Sequence, residues 1–118
     1  VKESLEKAIA LSPRHVEARI ALGTFHAEVI DKVGAMVGGM TYGAKKEVGL
    51  QLFEEALALH PGSAIGMVDY ANALVMLEGD ERMDEATALY ERAAACQPMD
   101  AMEELHVAMA RAELHEEG

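Results

Sequence analysis

Three stretches decide how this sequence folds: Leu5-Glu6-Lys7-Ala8-Ile9-Ala10-Leu11-Ser12-Pro13, Phe53-Glu54-Glu55-Ala56-Leu57-Ala58-Leu59-His60-Pro61 and Tyr90-Glu91-Arg92-Ala93-Ala94-Ala95-Cys96-Gln97-Pro98. Each has a large apolar residue, an Ala three positions later and a Pro five after that. A separation of three puts the apolar residue and the Ala on one helix face. The small side chain lets a partner helix approach, and Pro disfavours helical backbone at the residue before it, so the helix stops there. Gly49 and Ala86 add a second small residue four positions before Phe53 and Tyr90. Each stretch therefore reads as the second helix of a helix pair.

Outward from these anchors, apolar residues recur at helical spacing almost throughout, and nowhere do they alternate as in a half-buried strand. The fold class is all-α. A first short helix ends at Ser12-Pro13, where Ser12 is placed to cap the next helix and Pro13 to open it. The second helix is predicted from Val16 to about Ile30. Thr41 is the expected cap of a third, from about Ala44 to His60, with Leu52, Phe53, Ala56, Leu57 and Leu59 as its apolar stripe. Pro61-Gly62 breaks it, and Ser63 caps a fourth running to Leu77 before Gly79. A fifth is expected from about Asp84 to Cys96. Asp100 and Glu103 form a capping-box-like start to the last helix, which carries Met102, Leu105, Met109 and Ala112 on one face.

The triplicate pattern resembles the tetratricopeptide repeat (TPR) family. Leu22-Gly23 is similar to the family's Leu-Gly pair in the first helix, with His26 where an aromatic is usual. Successive prolines are 48 and 37 residues apart, against a family period of about 34. The first full repeat is thus lengthened by about 14 residues between His26 and Gly49. In the second, Val68, Ala71, Asn72 and Val75 occupy the signature positions. The resemblance implies antiparallel helix pairs stacked as a short right-handed α-solenoid. It divides a single domain, 1–118, into a half-repeat (1–13), a repeat with the insertion (14–61), a second repeat (62–98) and a closing helix (99–118). The lengthened first repeat is similar to that of a group of bacterial TPR-like proteins, and more distantly to the helical domain of regulators of microtubule dynamics.

The insertion is the least ordinary segment. Residues 33–44 carry no charge, four glycines (Gly34, Gly38, Gly39, Gly43), and Met36, Val37, Met40 and Tyr42. Two readings compete: the loop folds back over the helix pair and thickens a small core, or it forms a Met-bearing lip that packs on a partner. Projected on the family pattern, the concave face holds Glu17, Ile20, Thr24 and Glu28 from the first full repeat and Asp69, Ala73 and Met76 from the second. The resemblance implies a non-catalytic, scaffold-like module that binds a peptide or partner helix there. With carboxylates and apolar groups on that face, the expected partner is basic or amphipathic. The expected partner-binding residues are Glu17, Ile20, Thr24, Glu28, Asp69, Met76, Met36, Met40 and Tyr42. An alternative is an accessory ligand-binding protein with an apolar pocket under residues 33–44.

Charge sharpens these expectations. Residues 1–53 carry seven basic and six acidic groups (+1), residues 54–118 three and fifteen (-12), for a total of -11. Such an acidic half repels polyanions, so nucleic acid and anionic membrane surfaces are disfavoured. No run approaches the ~20 apolar residues of a membrane span. None of the five histidines has ligand spacing with another ligand on one helix, and the Glu pairs read as solvated faces, so no metal, cofactor or catalysis is expected. Cys96, the single cysteine, reads as a small buried hydrophobe and suits a reducing or an oxidising compartment. The chain opens inside an amphipathic helix, which suggests trimming upstream. That leaves a signal peptide, and the choice between cytoplasm and periplasm, open. Exposed half-repeats at the two ends would favour self-association.

Overall fold

A computed structural model describes residues 2–12, 15–96 and 101–117. All regular structure among them is helical: α1 (Lys2–Leu11), α2 (Val16–Val37), α3 (Lys46–Leu59), α4 (Ala64–Glu78), α5 (Met83–Ala94) and α6 (Ala101–Glu117), with a single π turn at Gly38–Tyr42 and a 3-10 turn at Gly79–Arg82. The chain divides into two compact units, Val1–Pro61 and Gly62–Gly118. Pro13, Pro98 and the proposed capping residue Asp100 lie outside the described residues.

The first unit is organised by one close crossing. A Cβ placed on Gly23 of α2 would stand 2.8 Å from Phe53 Cε2 and 3.1 Å from the Gly49 carbonyl oxygen. A Cβ on Gly49 of α3 would stand 2.9 Å from His26 Cβ and 3.4 Å from the Gly23 carbonyl oxygen. The two backbones are therefore in mutual contact, which only glycine at both positions allows. Phe53 is 1% exposed and covers the crossing, with buried Leu22, Ala27, Leu52 and Ala56 around it. Arg19 Nε donates to Glu55 Oε1 at 3.2 Å. The pairs Arg19/Glu55, Gly23/Gly49 and His26/Lys45 advance along α2 while retreating along α3, so the helices are antiparallel.

The second helix runs past the predicted end near Ile30, but not straight. At Gly34 the backbone leaves helical geometry (φ 85°, ψ 162°), a conformation L side chains rarely adopt. The chain then turns back, since Gly38 is buried and a Cβ on it would lie 3.4 Å from Val29 Cγ1 and 3.7 Å from Ile30 Cγ1. Thr41 does not cap α3. It sits inside the π turn, which Gly43 closes in the left-handed region (φ 67°) by donating its N–H to the Gly38 carbonyl. Lys45 occupies the cap position without a side-chain hydrogen bond.

In the second unit Ser63 caps α4 as expected, its Oγ accepting from the Gly66 N–H at 3.0 Å. α4 and α5 pack together, with Val68, Ala71, Ala73 and Leu74 of α4 and Ala86, Tyr90 and Ala93 of α5 all buried. The Tyr90 hydroxyl donates to Asn72 Oδ1, which gives the polar residue in the blurred signature a partner. α5 is shorter than predicted, Met83–Ala94, and Arg111 of α6 donates to the Ala94 carbonyl through Nε (3.3 Å) and Nη2 (3.2 Å). A helix C-terminus leaves such carbonyls without intrahelical donors, and a cation there also opposes the helix dipole. α6 buries Val107 and Ala110, not the Met102, Leu105, Met109 face.

The crossing sets a test. Gly49→Ala improves helix propensity by about 1 kcal/mol but drives a methyl into His26 Cβ, and overpacking of this kind costs about 1–3 kcal/mol. The expected net result is a lower midpoint in urea unfolding. Gly62→Ala, where a Cβ meets nothing within 4 Å, should leave the midpoint nearly unchanged.

Candidate interaction surface

The surface is built from the inserted segment and the groups that hold it. His26 is 2% exposed, and its Nδ1 accepts from the Lys45 N–H at 2.9 Å. An accepting Nδ1 places the ring proton on Nε2, and this buried nitrogen has no hydrogen-bond partner among the described residues. Burial and the nearby Lys2 ammonium hold the His26 pKa below its ordinary 6.5, partly opposed by Glu6. Ala44, 2% exposed, donates its N–H to the Gly38 carbonyl at 3.0 Å. Lys2 of α1 lies against Gly43, its Cε 3.4 Å from where a Cβ would stand. The backbone of the segment is thus fixed at both ends: at Gly38 against α2, and at Ala44-Lys45 against His26.

What this anchoring leaves outside is apolar. Met36 is 77% exposed, Met40 83% and Tyr42 50%, and Val33 and Val37 are exposed as well. The backbone does fold back, as one reading expected, yet among the described residues of the segment only Gly38 and Ala44 are buried. The large side chains form a lip facing solvent. Lys32 and Lys45 are exposed at its flanks.

The other predicted site residues separate into three groups. Glu17 and Glu28 are exposed on α2, and Met76 is 43% exposed on α4. Ile20 and Ala73, expected on the open face, are both buried. Thr24 is half-buried, with its Oγ1 unpaired among the described residues. Asp69 faces inward within the second unit, its Oδ1 3.6 Å from His106 Nε2, while His106 Nδ1 donates to the Met102 carbonyl at 2.8 Å. Asp69 is thus half-buried against His106. Glu17, Thr24 and Glu28 belong to the first unit with the lip, and Asp69 and Met76 to the second.

Among the described residues no group of His, Cys, Asp and Glu could hold a metal ion, and no helix is long and apolar enough to cross a membrane. Sequence reasoning missed His26 and Lys45 as the clamp on the insertion. The signal was present in a histidine at a position where the repeat pattern wants an aromatic. Cys96 is half-buried, its thiol 3.3 Å from the Arg92 carbonyl. The chain matches no protein-family model and no curated protein.

The clamp gives a pH dependence with a definite sign. Protonated His26 loses the acceptor that Lys45 uses, and its folded pKa lies below the unfolded value. In the interval between the two, the unfolded chain binds more protons, so stability is complete above about pH 6.5 and falls as pH drops towards the folded pKa. His26→Leu should flatten that limb in urea titrations at stepped pH, with the loss of the Lys45 hydrogen bond, about 0.5–1.5 kcal/mol, partly offset by removal of the unpaired Nε2–H.

Proposed function

We propose that this chain is a non-catalytic protein–protein interaction module, a short TPR-like right-handed α-solenoid that docks a basic or amphipathic peptide or partner helix on its concave face and lip. The observation that carries the reading is the lip. Five large apolar side chains within ten residues, Val33, Met36, Val37, Met40 and Tyr42, stay in solvent on a backbone held from beneath. Exposed apolar patches of this kind mark docking surfaces, and Met adapts its shape to irregular partners. Glu17 and Glu28 supply exposed acid on the same unit, which suits a basic partner. Outward-facing side chains favour docking over enclosure of a small molecule beneath residues 33–44.

The test is capture of partners by the full chain, followed by direct titration of each. Met36→Ser with Met40→Ser should weaken binding by about tenfold or more if the lip supplies central contacts. Glu17→Lys with Glu28→Lys should weaken it mainly at low salt. Unchanged affinity for every captured partner in both variants would sink the reading.

A further inference from the structure

A second apolar face is left uncovered by the fold. On α6, Met102 and Leu105 are each 54% exposed, Met109 39%, and Ala112 is exposed too. Their spacing of i, i+3, i+7 and i+10 is that of a coiled-coil seam. Val107 and Ala110 on the opposite side are buried, so the stripe is surplus to the packing of this helix.

Charge decides what each face pairs with. Residues 31–47 carry three Lys against Asp31 and Glu47 (+1), and residues 101–117 carry five Glu and one Arg (-4). Stripe on stripe sets acid against acid, and lip on lip has little net charge to draw it together. Lip on stripe matches apolar to apolar and places the flanking lysines among the glutamates. We infer that the lip of one molecule docks on the α6 stripe of a second copy of this chain, a head-to-tail contact between Met36, Met40 and Tyr42 on one side and Met102, Leu105 and Met109 on the other. This rests on reading the lip as a docking surface, and of the basic or amphipathic partners proposed for the module it assigns an amphipathic one, not a basic one, to the lip. Each contact leaves one lip and one stripe free, so association propagates unless it closes into a ring.

Sedimentation velocity of the full chain over a concentration series tests it, with two variants at exposed positions: Met36→Ser with Met40→Ser, and Leu105→Ser with Met109→Ser. Helical circular dichroism confirms that both fold. The wild type should associate with rising concentration, and less so in high salt. Each variant alone should associate about tenfold or more weakly. An equimolar mixture of the two should form a 1:1 dimer and stop there, because it contains one intact lip and one intact stripe. A wild type that stays monomeric, a mixture that stays monomeric, or a lip variant that associates like wild type would each overturn the inference. A monomeric wild type whose lip variant still loses affinity for a captured partner overturns the second-copy contact alone. If that affinity is also unchanged, the docking reading falls with it.

Discussion

The contact of Gly23 with Gly49 is the constraint on which the first unit depends. With no Cβ on either side, α2 and α3 approach until each glycine's carbonyl lies within 3.4 Å of where the other's Cβ would be. That closeness draws the His26 ring under the start of α3 and brings its Nδ1 to the Lys45 N–H. A wider crossing, such as Ala at either position would require, lengthens this hydrogen bond and loosens the insertion's second anchor. The presentation of Met36 and Met40 to solvent is therefore set by a backbone contact nine or more residues away in sequence.

His26 is a costly choice at that position. A buried N–H without a partner costs about 1–3 kcal/mol, and a phenyl ring would carry no such group. An aromatic ring, however, accepts nothing from the Lys45 backbone. The N-terminus of α3 has no side-chain cap, so without His26 one more N–H of that start would lack a protein acceptor. Burial of Phe53 beside it, about 1.5–3 kcal/mol, offsets the unpaired nitrogen, so the crossing tolerates a polar ring that also fixes the register of the insertion. The same reasoning explains why a histidine without metal-ligand spacing is buried in this protein.

Small residues at fixed offsets were readable because helix period and close approach leave few alternatives. Gly49, Ala56, Ala86 and Ala93 are all buried where the pattern put them, and Ser63 caps α4 because a polar side chain after Pro-Gly has an obvious backbone donor to satisfy. The break at Gly34 was not readable, since glycine in an apolar helical run permits both continuation and reversal. Thr41 misled as a cap because its neighbours close a π turn through Gly43. The face assignments of Ile20 and Ala73 failed for a different reason. They rested on a projected repeat pattern and on no contact in the sequence itself, and both residues are buried. For Asp69 the missing information was long-range, since nothing near it in sequence announces His106.

Packing through glycine and alanine also explains why so much apolar side chain is left over. Backbone-to-backbone contact excludes water with little side-chain area, so each crossing recruits few large residues, and a chain of 118 residues has little interior volume to begin with. At 51% hydrophobic composition with only 4% aromatic residues, supply exceeds what such an interior encloses. The surplus is dominated by one residue type: of seven described methionines, Met36, Met40, Met76, Met102 and Met109 are exposed. A random excess would scatter. Instead four of the five lie in the lip and the α6 stripe, flanked by opposite charge, and an unbranched thioether is the apolar side chain that loses least when its covering partner is absent and conforms most readily when it arrives.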